Sequence, residues 1–170
     1  FSSVFDYWSI DLNCKLGAPL LKIASGDITH IPLIEYASQK NLPIIMSTGA
    51  STMQEIDNAI TAAYKKNTNL KLALLHFVSQ YPSKPEECKF NCIPIRKETF
   101  KLETGFADHT IGTETAISAV ALGANIIEKH FTLDKSLEGP DHIRSSNPEE
   151  FKNLSRSINL AFKARGSMMK

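Results

Sequence analysis

The chain has 170 residues, is 42% apolar and 22% charged, and carries a formal net charge of +1. That is length enough for one domain with a core, and the charge balance gives no support for a nucleic-acid or membrane partner. No apolar run approaches the roughly 20 residues that span a bilayer, and the opening FSSVFDYW lacks the basic start and apolar stretch of a signal peptide.

Residues 1–5 read as the end of a strand. Residues 6–16 have helical spacing, with Trp8, Leu12 and Leu16 along one side. A second strand, 20–24, ends in Ser25, Gly26 and Asp27. Pro32 opens a helix that Asn41 and Pro43 close. Strand 44–47 ends in Ser47 and Thr48, and Thr52 with Glu55 forms a capping box for a helix running to about Lys66. Strand 72–78 is apolar almost throughout, as expected when both faces are covered. A loop, SKPEECKFNCIPI, and a short helix near Arg96–Phe100 follow. Strand 104–107, a small-residue helix ending at Gly123 and strand 125–132 form a βαβ unit. Asn147, Pro148 and Glu150 start a final helix with the stripe Phe151, Leu154, Ile158 and Phe162.

Strand, polar strand end, helix is the pattern of a parallel sheet. Polar groups after many strands favour a (β/α)8 TIM barrel over a doubly wound sheet. A full barrel takes about 250 residues and eight strands. This α/β chain offers about six βα units, an incomplete barrel spanning 1–170. Cys14, Cys88 and Cys92 read as reduced thiols of a cytoplasmic protein, because an odd count without CxxC argues against disulfides or zinc. Cys88 and Cys92 lie in what reads as an exposed turn.

His109 and His130 each end an apolar segment, and the βαβ unit brings its strands about 4.8 Å apart. Two imidazoles suit a divalent metal with positions left for water or a carbonyl oxygen. Glu128 shares a face with His130, and Lys129 points the other way. Lys22 with the hydroxyls of Ser25, Ser47 and Ser79 suits a phosphate. Plainer readings stand beside these. A strand-end serine also suits a turn or cap, Lys22 also suits a structural acid, and Gly139-Pro140 explains Asp141 and His142 as a turn. His76 reads as a packed core histidine and His30 as surface.

KIASGD, MSTGA, SQYPSKPE, GFADHTIG, AVALGANIIEKHFTLD and GPDH, in this order, resemble the sialic acid synthase family, which includes N-acetylneuraminate, legionaminic and pseudaminic acid synthases. The resemblance implies a TIM-barrel transferase of sialic acid biosynthesis. It condenses phosphoenolpyruvate with an N-acetylated amino sugar, N-acetylmannosamine or a relative, releasing phosphate. It implies a divalent metal, Mn2+, on His109 and His130, acting as a Lewis acid on the sugar aldehyde. Phosphoenolpyruvate contacts match Lys22, Ser25 and Ser47, with Ser3 at a further hydroxyl position. Glu128, beside the metal, holds substrate or its water. Asp27, the other carboxylate assigned to catalysis, contacts the sugar together with Tyr81 and Asp141.

Two positions depart from the family. Ser79 stands where bacterial members often carry Asn, and Ala107 replaces the Ser of GYSDH. The lost hydroxyl corresponds to about 1.5–3 kcal/mol of binding. The family's first two strands, which bring an acid and a lysine, and its C-terminal antifreeze-like domain, through which it forms homodimers, lie outside the matched segment. The expectation is therefore an inactive 170-residue piece. Another metal-dependent barrel aldolase and a non-catalytic ligand-binding barrel remain the alternatives.

Overall fold

The computed structural model describes residues 1–80 and 82–166, and of Arg144 the backbone alone. The chain forms two compact units. One comprises Phe1–Phe77 with Phe100–Glu103, the other Val78–Thr99 with the described part of Thr104–Lys170.

The first unit runs β1 (Ser3–Val4), α1 (Tyr7–Lys15), β2 (Leu21–Ile23), a 3-10 turn (Ser25–Asp27), α2 (Ile31–Ser38), β3 (Ile44–Ser47), α3 (Met53–Lys66) and β4 (Leu72–Phe77). The strands pair in parallel in chain order. Their register sorts the side chains into rows, because alternate residues of a strand face opposite ways. Val4, Ile23, Met46 and Leu74 lie side by side and are fully buried. Leu21, Ile44 and Leu72 form a second row on the same face. Both pack against Ile10 of α1, Leu33, Ile34 and Ala37 of α2, and Ile56, Ala59 and Ala63 of α3. Each Val, Leu, Ile or Met side chain among them gains about 1.5–3 kcal/mol over exposure, and each Ala less. The opposite face carries Ser3, Lys22, Ile45 and Ala73 in one row.

Two helix starts follow from the sequence, one at Thr52 and one at Asn147, whose side-chain oxygen accepts the Glu150 N–H at 2.9 Å. The Thr52 hydroxyl accepts the Glu55 N–H at 3.2 Å, and the Glu55 carboxylate accepts the Thr52 N–H at 2.8 Å, the expected capping box. The expected stripe on α1 is not the buried one. Trp8 is 71% and Leu16 75% exposed, while Ile10 is buried and Cys14 packs on the core. Asp6 caps the helix through the Ser9 N–H and fixes its start at Tyr7, which turns residues 10 and 14 inward. Leu16 lies past the last helical residue.

The second unit runs through a 3-10 turn (Pro85–Glu87), α4 (Cys92–Phe100), β5 (Glu103–Asp108), α5 (Glu114–Ala121), β6 (Ile127–Lys129), a 3-10 turn (His142–Arg144) and α6 (Pro148–Arg165). Its core joins Cys88, Ile93, Phe106, Ala119 and Ala124, with Phe90 set edge-on to Phe106 at 4.9 Å.

Here four expectations need correction. The stretch read as a loop becomes helical at Cys92, not near Arg96. Pro94 sits in the first turn, where a backbone N–H has no helical partner to lose. Cys88 is fully buried rather than in an exposed turn. Strand β6 spans three residues, not eight. On α6, Leu154 is buried, but Phe151 and Phe162 are exposed. Phe151 rests edge-on against Phe131 at 5.6 Å, and the Arg165 guanidinium lies 4.9 Å over Phe162.

Burial pushes the Cys88 thiol up to about 11. The thiolate is the reactive form. Iodoacetamide at pH 8 is therefore expected to spare Cys88 in the native protein and to modify it once denaturant is added, as read by peptide mass analysis. No disulfide joins the three cysteines. Among the described residues no helix is long and apolar enough to cross a membrane.

Candidate metal and substrate site

The two histidines expected to share a metal belong to the second unit and meet there. Strands β5 and β6 pair in parallel, with Ala107 opposite Glu128 and Asp108 opposite Lys129. His109 and His130 are the next residues on, one step past each strand. By alternation they share a face with Ala107 and Glu128. Their Nε2 atoms lie 3.2 Å apart, with the rings nearly perpendicular at 86°.

That separation fits a shared cation. Two nitrogens each about 2.1 Å from one ion stand about 3.0–3.4 Å apart for ligand angles from square to tetrahedral. It is also the length of a hydrogen bond between donor and acceptor tautomers, so the pair accommodates either a proton or a cation. On the far side of one ring, His130 Nδ1 lies 3.8 Å from Asp141 Oδ2. Asp141, expected at the sugar, thus also stands where an outer carboxylate would orient a ligand histidine. Among the described residues there is no cluster of three or more His, Cys, Asp or Glu side chains able to hold a metal. Two histidines leave several coordination positions for water or substrate.

Loop backbone holds both histidines in place. The Ser83 N–H donates to the His109 carbonyl at 3.1 Å, and the Ser146 N–H to the His130 carbonyl at 2.8 Å. Ser146 in turn accepts the Thr132 N–H at 3.0 Å. After His109 the chain turns through Gly112 at φ +88°. A Cβ there would collide with the Glu114 carboxylate, which accepts the Thr113 N–H at the start of α5.

The other face of the same strand pair holds an ion pair that the sequence reading did not foresee. Lys129 Nζ lies 2.8 Å from Asp108 Oδ2, with side chains 3% and 0% exposed. The ammonium also donates to the Thr110 carbonyl at 2.8 Å. Asp108 Oδ1 accepts the Thr110 N–H at 2.9 Å, the Thr110 hydroxyl at 2.7 Å and the Thr115 hydroxyl at 3.3 Å. The carboxylate is thus well furnished with donors, as a buried charge requires. The sequence carries part of the signal, an acid before one histidine and a lysine before the other; the register that sets them opposite each other comes from the structure.

The phosphate-side residues Ser3, Lys22, Ser25 and Ser47 belong to the first unit, and Ser79 to the second. Ser3 and Lys22 are register partners on β1 and β2. Lys22 is opposite Ile45, so Ser47, two further along β3, lies on the same face. Lys22 is 7% and Ser47 3% exposed. The buried Ser47 Oγ has no hydrogen-bond partner among the described residues. Such a group costs about 1–3 kcal/mol unless something else satisfies it, which suits a ligand-facing hydroxyl. Ser25 and Asp27 stand half-buried in the turn after β2. Ser79 is exposed, Glu128 is half-buried and Tyr81 lies outside the described residues. His76 is buried and His30 exposed, as expected.

Residues 1–170 match the model of the NeuB family. The chain belongs to the NeuB family. It is 43% identical over 169 residues to the N,N'-diacetyllegionaminic acid synthase of Legionella pneumophila, covering 98% of this chain and 48% of that protein. It is 40% identical over 166 residues to the pseudaminic acid synthase of Helicobacter pylori, again covering 98% and 48%. The crystal structure of the N-acetylneuraminic acid (sialic acid) synthetase of Leptospira borgpetersenii, in complex with citrate, matches at a TM-score of 0.93 and 35% identity. That match covers 99% of this chain and 58% of that one. The NeuB-family chain thus spans about half the length of the curated relatives it matches.

Proposed function

We propose that this NeuB-family chain carries the working parts of a sialic-acid-type synthase, which joins phosphoenolpyruvate to an open-chain N-acetylated amino sugar. The observation that carries the reading is the 3.2 Å approach of His109 and His130 Nε2 at the ends of two parallel strands. In this reading the pair holds a divalent cation, Mn2+, which when bound supplies Lewis acidity toward a carbonyl oxygen.

The protein's own groups do the rest. Lys22 and the hydroxyl of Ser47, with Ser25 and Ser3, bind the phosphate and carboxylate of phosphoenolpyruvate. Asp27 and Asp141 hold sugar hydroxyls. Glu128, beside the histidines, orients substrate or a water. The enol C2–C3 electron pair forms the new bond to the aldehyde carbon, and the aldehyde oxygen takes a proton. Water adds at C2 and gives up one proton, and the C2–O bond to phosphate breaks as the remaining hydroxyl proton passes to the departing phosphate. The products are an α-keto sugar acid and inorganic phosphate, so atoms and charge balance.

The test is phosphate release from phosphoenolpyruvate with Mn2+, comparing N-acetylmannosamine with aldose-phosphate acceptors, on a protein of its relatives' full length that contains these 170 residues; the 170-residue piece alone is expected to be inactive. Turnover with the N-acetylated sugar supports the reading. Turnover with aldose phosphates alone would move the protein to a different barrel condensation.

Ala107 offers a finer measurement. It is 2% exposed and stands opposite Glu128. Ala107→Ser restores the hydroxyl of the family pattern on the histidine face. The KM for phosphoenolpyruvate is expected to fall at least about tenfold, since a hydrogen bond to a charged group contributes about 1.5–3 kcal/mol. An unchanged KM would show that residue 107 does not reach the substrate.

A further inference from the structure

The proposed chemistry leaves one buried polar cluster without a task, the Lys129–Asp108 pair on the strand face toward α5. We propose that Lys129 is a positioning residue: by tying the two strand ends together it sets the separation of the His109 and His130 rings. The inference rests on the reading of those rings as metal ligands.

The connectivity makes the argument. Both histidines lie one residue beyond the β5–β6 ladder, and β6 is only three residues long. The ladder alone holds neither end once its pairing stops. Lys129 Nζ bonds Asp108 Oδ2 and the Thr110 carbonyl, each at 2.8 Å. Those residues flank His109, and Lys129 itself precedes His130. One ammonium therefore fastens both neighbours of the first histidine to the immediate neighbour of the second. Asp108 closes the turn from inside by accepting the Thr110 N–H and hydroxyl. The clamp lies on one face of the strand pair and the rings on the other, so it can fix their spacing without touching a ligand. Stability alone explains the pair poorly, because apolar replacements of buried ion pairs are often neutral or better. The window for sharing an ion is narrow, about 3.0–3.4 Å between nitrogens, and a small splay of the strand ends would leave it.

The experiment uses the intact protein, with Mn2+ alone as the probe. Mn2+ affinity by calorimetry and the Nε2 separation in crystals are compared for wild type, Lys129→Met and the double variant Asp108→Asn with Lys129→Met. The double variant leaves no buried charge unpaired and keeps an acceptor for Thr110, so it reports on positioning even if the single variant folds poorly. Both variants are expected to bind Mn2+ at least about tenfold more weakly, the usual effect of losing a group that orients a ligand, with a wider ring separation. If the double variant keeps either the wild-type affinity or the wild-type separation, the proposal is overturned. If wild type binds no Mn2+, the metal reading falls and the separation alone decides: wider rings keep the clamp, unchanged rings remove it.

Discussion

Replacing His109 by alanine is expected to abolish Mn2+ binding and, in a protein of its relatives' full length that contains these residues, to lower kcat/KM for the proposed condensation by about 10^3-fold or more. A Lewis-acid cation contributes several kcal/mol at a developing charge, and each 1.36 kcal/mol corresponds to tenfold in rate. The loss should come with little change in melting temperature. The His109 side chain is only partly buried, and its backbone carbonyl, held by the Ser83 N–H, is untouched by the substitution. Calorimetric titration with Mn2+ and thermal melting on the same samples separate the two effects. A variant that still binds the ion with wild-type affinity would remove His109 from the metal site. One that unfolds would show the ring to be structural.

Replacing Lys129 by methionine is expected to destabilise the fold by about 3–5 kcal/mol, read as a shift in urea-unfolding midpoint. The size comes from what remains rather than from what is removed. Asp108 is fully buried, and a buried carboxylate without its cation retains the whole penalty of leaving water. Adding Asp108→Asn to the same variant removes that charge and should recover most of the loss. If both variants unfold at the wild-type midpoint, Asp108 finds other compensation, and the ion pair is not what keeps its charge in the interior. A large loss in the double variant as well would point to packing around residue 129 instead of charge.

How far residues alone reveal a site depends on what each signal requires. The positions of β3, of α3 and of the Asn147 cap follow from short-range chemistry: an apolar run, a hydroxyl and an acid at fixed spacing. The meeting of His109 and His130 follows from βαβ geometry together with family resemblance. The beginning of α4 at Cys92 does not, because Pro94 looks like a helix breaker by residue type yet is harmless within a helix's first turn. The wrong stripe on α1 has a similar cause. Over nine residues several apolar residues compete for the inward face, and the Asp6 cap decides among them. The Lys129–Asp108 pair depends on strand register, which periodicity cannot supply.

The parallel register of the first unit has one more consequence. Val4, Ile23, Met46 and Leu74 anchor the helices, while their immediate neighbours Lys22, Ile45 and Ser47 look the other way. Adjacent codons therefore answer to separate selective demands, one for foldability and one for ligand choice. Substitutions at Lys22 and Ser47 should therefore change the binding of phosphoenolpyruvate in the proposed reaction, and acceptor choice should answer to other residues.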